Sequence, residues 1–421
     1  MPEYVVILRA QSGVRLPKDD ALIVRRLPTD VGPVDVLFKT RLTSVAQFSK
    51  PVPMGLVVEV RGMASSLGEA IPAFASAAQG ITPLLAMMGN SQIDDLAPEI
   101  AWEVTPGVNE RAFFQQHLVE ERLLMVARRK LTGDAILRFL QAVATHPDAE
   151  RIRRTMAQYH QALQNWEPGR EILALAHLWM GVEALTPVVL RAELSRLGID
   201  RTALLAQWGV TQKQLDSQVR LRLILKGDQD LYRKAKAASD GFEHGYLRVA
   251  EIKANSDAVR KDVANHLRES LLAQLQIDAT DRDVFSKPPY DSPGHLRTVK
   301  YLRGKLIGTG EQLARANQAY PIMHWTTTFF EIPNDSPDDV SFKFSETFTP
   351  RLAPGIAFRP ESLAVWGGQE STFGKDHVRD ATFHVSSTKL SQNGLFRRLR
   401  AIFTFTRKFV LRRGGASYSG Q

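Results

Sequence analysis

The apolar positions change period along the chain, and each change marks a change of element. Over residues 1–130 they fall in short β-branched or aromatic runs at 4–9, 21–26, 33–39, 54–60 and 99–104, bounded by Gly, Pro or Asp, which predicts strands. Residues 65–88 carry a helical pattern opened by Ser65 and Glu69 and interrupted at Pro72 and Gly80, and 109–118 predicts a further short helix. From Gly133 to Ile277 the strand signals disappear. Residues 134–145 form one predicted helix, stopped before Pro147, and 148–166 a second with Ile152, Met156, Tyr159, Leu163 and Trp166 on one stripe. After Pro168, residues 171–185 are apolar nearly all round, the pattern of a helix in the middle of a bundle. Burying each large side chain contributes roughly 1.5–3 kcal/mol, so this helix alone is able to anchor a core. Residues 258–275, with Val259, Val263, Leu267 and Leu271 four apart, supply a partner.

Residues 278–319 are polar and broken by Lys287-Pro288-Pro289, Ser292-Pro293-Gly294, Gly304, Gly308 and Gly310, the composition of a linker with one short helix near 311–318. Strand patterns then resume at 326–332, 340–348, 355–359, 362–366 and 381–385. The expected class is α+β and multidomain: an N-terminal mixed α/β-sheet unit (1–130), a central all-helical bundle (131–277), the linker (278–319, exposed at 281–294) and a C-terminal β-rich unit with a basic tail (320–421).

The 421 residues contain no cysteine, which removes disulfides, thiolate metal sites and cysteine nucleophiles. No run of some 18 apolar residues predicts a membrane span, and residues 1–9 read as a strand rather than a secretory signal, so the expected location is the cytoplasm. The net charge is +9, and its distribution is uneven. From Ser391 onward Arg397, Arg398, Arg400, Arg407, Lys408, Arg412 and Arg413 stand without one acidic residue and carry most of that excess. These seven are candidate nucleic-acid contacts. Phe403, Phe405, Phe409 and Leu411 alternate among them, which is also the pattern of a closing strand.

Two segments of the helical region resemble a known family. The run from Leu173 to Leu185, centred on Glu183-Ala184-Leu185, and the later Leu231-Tyr232-Arg233-Lys234-Ala235-Lys236 with Phe242-Glu243-His244-Gly245, are similar to the bacterial branch of the HEPN-like helical domains. The resemblance covers about residues 133–277. It implies a helical bundle that binds or cleaves RNA, often in defence or stress systems and usually as a dimer. It puts His244 in the place of the family's histidine, whose arginine partner belongs at 237–239; this chain has Ala237, Ala238 and Ser239 there. Ribonuclease chemistry needs a proton acceptor near the 2′-hydroxyl and a cation for the charge that develops on phosphorus. His244 beside Glu243, with Arg233 or Lys236 as the cation, is therefore the candidate catalytic set.

Residues 205–220 outline a helix-turn-helix with Gln212, Lys213, Gln214, Ser217 and Arg220 as base readers, although Thr211 and Gln214 also spell an ordinary capping box. No phosphate-cradling loop and no cofactor or metal motif is evident; His377 and His384 are the nearest approach to a metal pair. Two functions of different class follow: an RNA-binding or RNA-cleaving protein, and a non-catalytic assembly protein whose helical domain mediates self-association. The candidate partners are RNA, a second copy of the chain and another protein.

Overall fold

In the computed structural model all residues are described except 18, 45–48, 107–109, 117–128, 167–168, 246, 278–284, 286–298, 316–321, 333–340, 352–353, 367–380, 387–399 and 406–421. The chain is α+β, with helices and antiparallel sheets. It divides into two compact units, Met1–Arg41 with Pro53–Arg297, and Leu42–Val52 with Thr298–Gln421.

In the first unit, β1 (Glu3–Ala10), β3 (Leu22–Leu27), β4 (Val34–Thr43), β5 (Val52–Met63), β6 (Ala97–Glu103) and β7 (Phe113–Gln115) form one sheet in the order β3-β4-β5-β1-β6-β7. Alternation decides which side is inward: Val34, Val36 and Phe38 of β4 are buried while Asp35 and Lys39 are exposed. Helix α1 (Leu67–Gln79), capped by Ser66, lays Ala70, Phe74 and Ala78 against the sheet, and α2 (Thr82–Gly89) follows. A two-residue β2 (Val14–Arg15) pairs in parallel with β8 (Arg129–Lys130). Residues 109–118 hold no described helix. Phe113 and Phe114, with strand-favouring side chains, pair with Trp102 and Ala101 at the sheet edge.

The helices are α3 (Gly133–Thr145), α4 (Ala149–Gln164), α5 (Glu171–Leu197), α6 (Arg201–Trp208), α7 (Leu215–Val219), α8 (Gln229–His244) and α9 (Val249–Gln274). Helix α5 packs on α4, α8 and α9, as its apolar content predicts. It does not stop before Pro187 but continues ten residues beyond, to Leu197. The carbonyl that loses its N–H donor to Pro187 belongs to Glu183, an exposed residue of the helix. By length and composition Leu67–Gly89 and Glu171–Leu197 are apolar enough to cross a membrane, but 61% of the α5 window is buried within the protein, as in a core helix.

No break between compact units falls near residue 130, because the sheet and the bundle share an interior. The Tyr159 hydroxyl donates to Asn90 Oδ1 (2.6 Å), and His160 Nε2 (2.7 Å) and Gln164 Nε2 (3.1 Å) both meet the Ile93 carbonyl. From α9, the Arg268 guanidinium, 1% exposed, donates to the carbonyls of Met87, Met88 and Phe285. Those carbonyls of Met87 and Met88 end α2, where a cation is favoured. Phe285 lies within the stretch expected to be exposed linker, yet it is 4% exposed and meets Phe139 edge-on at 5.4 Å. The rest of 281–294 lies outside the described residues.

In the second unit β9 (Val299–Ile307) pairs with β12 (Ala357–Trp366), so a strand occupies part of the expected linker, followed by a short helix at Gly310–Arg315. Strand patterns at 355–359 and 362–366 are one strand with an irregularity between Pro360 and Ser362. A separate sheet runs β10 (Ile322–Ile332), β11 (Ser341–Arg351), β14 (Arg400–Phe405), β13 (Ala381–Ser386).

Candidate functional site

Helix α8 places the four expected catalytic residues but does not assemble them. Asp228 caps the helix, its carboxylate accepting from the Leu231 N–H at 2.9 Å. Arg233 is held by Asp230 at 2.6 Å, and Lys236 pairs with Asp240 one turn on. Glu243 accepts from the Ser239 hydroxyl at 3.2 Å. His244 ends the helix, exposed, just before Gly245 in the left-handed conformation (φ 69°), a usual helix stop. A histidine in the last turn suits the helix dipole without any catalytic duty. Arg233 and His244 stand eleven positions apart, about 16 Å along the helix axis at the rise of an α-helix.

Other expected contacts are also redirected. Arg400 begins β14 opposite Ser386, so a strand forms over the expected Phe403 and Phe405, paired between β11 and β13. Arg397, Arg398, Arg407, Lys408, Arg412 and Arg413 lie outside the described residues, as does His377. Thr211 and Gln214 form the capping box. Arg220, expected to face a base, turns inward instead: it pairs with Glu183 at 3.0 Å and lies over the Trp179 ring at 5.9 Å.

A different face of the bundle carries unspent polar groups. On α4, Arg151, Arg154 and Gln158 recur at helical spacing, with Arg153 beside them. All three arginines are exposed, and none has an ion-pair partner among the described residues. Glu150 is exposed in the first turn, where the helix dipole favours a carboxylate, and Asp148 is engaged by Arg191. Next to this row lies the outer stripe of α5, with Leu173 (42% exposed), His177, Met180 (37%) and Ala184.

The two rows meet where His177 Nδ1 and Gln158 Oε1 lie 2.9 Å apart. Burial lowers the His177 pKa from its ordinary value near 6.5, which keeps the ring neutral at physiological pH. With Nδ1–H donating to Oε1, the Gln158 amide NH₂ remains a donor and His177 Nε2 an acceptor. Gly181 closes the packing beneath, since a Cβ there would lie 2.8 Å from Leu267 Cδ2.

The sequence reading missed this face. Arg154 with His160 and Arg170 with His177 also fit the loose arginine–histidine spacing of the resembled family, but so do several other pairs, and spacing alone singles out none of them. Leu173 and Met180 were expected inside. Their seven-residue spacing, shared by Arg170, His177, Ala184 and Arg191, is the signal that would have found the outer stripe. No family model, curated protein or solved structure matches the chain.

Proposed function

We propose that the helical part of the chain binds RNA, and that α4 and the outer stripe of α5 form the contact face. The observation that carries this reading is that Arg151, Arg153 and Arg154, on one stretch of α4, have no ion-pair partner among the described residues, with Glu150 the one exposed carboxylate beside them. A polyanion supplies the counter-charge such a face lacks and gains entropy by releasing its own counter-ions. Self-association through the same face is the weaker reading, because it brings two sets of arginines together with too few carboxylates to offset them.

Binding is favoured over cleavage because the cations expected at a catalytic site on α8 are engaged within their own helix. The resemblance to HEPN-like domains supports an RNA target, and a cytoplasmic defence or stress setting is proposed with it. The test is a fluorescence-anisotropy titration of wild type and Arg151→Ala/Arg153→Ala/Arg154→Ala with a labelled RNA over a range of salt. Loss of three phosphate contacts should flatten the log–log salt slope by about 2. A wild type with no RNA binding ends the proposal.

A further inference from the structure

We infer that the α4–α5 face takes single-stranded RNA, with phosphates along the α4 arginines and bases lodged against Leu173 and Met180. This rests on the RNA-binding reading above and adds to it the form of the nucleic acid. The two rows divide the chemistry between them. Cations stand on one side of the face, at Arg151 and Arg154, whose Cα positions differ by about 4.5 Å along the helix axis. Apolar side chains stand on the other, at Leu173 and Met180, one turn to either side of His177.

A duplex does not suit that division. Its base faces are stacked inside, and it presents phosphate, sugar and groove edges, so Leu173 and Met180 would meet only polar, hydrated groups. A single strand turns its backbone to one side and its bases to the other, as the two rows require. The Gln158–His177 pair sits at the boundary between rows, 2.9 Å apart, and offers a donor beside an acceptor. That is the complement of a base edge carrying an acceptor next to a donor. The named residues of the face include no aromatic ring, so the bases gain from apolar contact and edge hydrogen bonds rather than from stacking.

The experiment uses full-length protein and three probes of one sequence: an unstructured 12-nucleotide RNA, the same RNA annealed to its complement, and the matching single-stranded DNA. Anisotropy titrations are run on wild type, on Leu173→Ser/Met180→Ser, and on Met180→Leu as a conservative control. The inference expects the single-stranded RNA to bind at least tenfold more tightly than the duplex. It expects the double serine variant to lose roughly five- to tenfold in affinity with an unchanged salt slope, and Met180→Leu to bind as wild type does. Both variants change exposed positions, and their unfolding midpoints are compared with that of wild type to check that they remain folded. Duplex binding as tight as single-strand binding overturns this inference while leaving RNA binding standing. Equal binding of DNA supports the single-strand geometry and removes RNA selectivity from it. Absence of binding to every probe overturns both readings, and sedimentation showing a wild-type dimer that the serine variant loses would then assign the face to a second copy.

Discussion

Helix α4 has two polar faces, and their polar groups meet opposite fates. On the inner face, Tyr159, His160 and Gln164 are spent on Asn90 and the Ile93 carbonyl, fastening the bundle to the sheet. On the outer face, Arg151 and Arg154, with Arg153 at its margin toward Gln164, have no ion-pair partner among the described residues, and the Gln158–His177 pair keeps a donor and an acceptor to spare. Helix α8 gives the same lesson from the other side. Its cations look functional in sequence, yet Arg233, Lys234 and Lys236 are engaged by Asp230 and Asp240 one turn away. Side chains that satisfy their neighbours hold the fold, and those left over are the ones available to a partner.

The contrast between faces breaks first on stability. Arg268→Leu removes the buried donor to Met87, Met88 and Phe285 and should cost on the order of 3–5 kcal/mol, read as a lower urea midpoint. A cost below about 1 kcal/mol would mean that those carbonyls find other donors and that the inner junction is not the anchor described. Tyr159→Phe takes away the donor to Asn90 and should cost about 1 kcal/mol by the same measurement.

A third effect is on pH. Burial lowers the His160 pKa from its ordinary value near 6.5, against the opposing pull of the Ile93 carbonyl and Asp95. The unfolded chain therefore takes up a proton before the folded one does. The stabilisation is complete above pH about 6.5 and is lost as pH falls from there toward the depressed folded value. His160→Gln should make the urea midpoint less steep in pH between about 7.5 and 5.5 than it is in the wild type. The smallest effect is expected at His244. His244→Ala should change stability by less than about 0.5 kcal/mol and leave RNA affinity within about twofold. A large loss of RNA binding there would return the site to α8.

Much of the fold is legible in the residues. The alternation Val34, Val36, Phe38 and the stripe Ile152, Met156, Tyr159, Leu163 give strand and helix without reference to the rest of the molecule. What is not legible depends on partners outside the local stretch. Phe285 sits in a proline-rich, polar segment that looks like exposed linker, and its burial is decided by Phe139 and Arg268, which belong to helices of the bundle. The outer stripe of α5 is hidden for another reason. Leu, Met and Ala read alike on the outer and inner positions of an apolar helix, and a reading that ends at Leu185 leaves out Arg191, the charged residue that continues the stripe. On α8 the carboxylates three and four residues from each cation are plain in the sequence. They neutralise the expected catalytic set, and a search confined to an arginine and a histidine passes over them.

The central claim is that α4, and not α8, supplies the cations for RNA. The most direct measurement is the salt dependence of RNA affinity for wild type, for Arg151→Ala/Arg153→Ala/Arg154→Ala and for Arg233→Ala/Lys236→Ala, with unfolding midpoints taken in parallel. The α4 variant should remain as stable as wild type to within about 0.5 kcal/mol, lose roughly tenfold or more in affinity and show a slope lower by about 2. The α8 variant should keep the wild-type slope. A lowered slope in the α8 variant, with the α4 variant unchanged, would contradict the account.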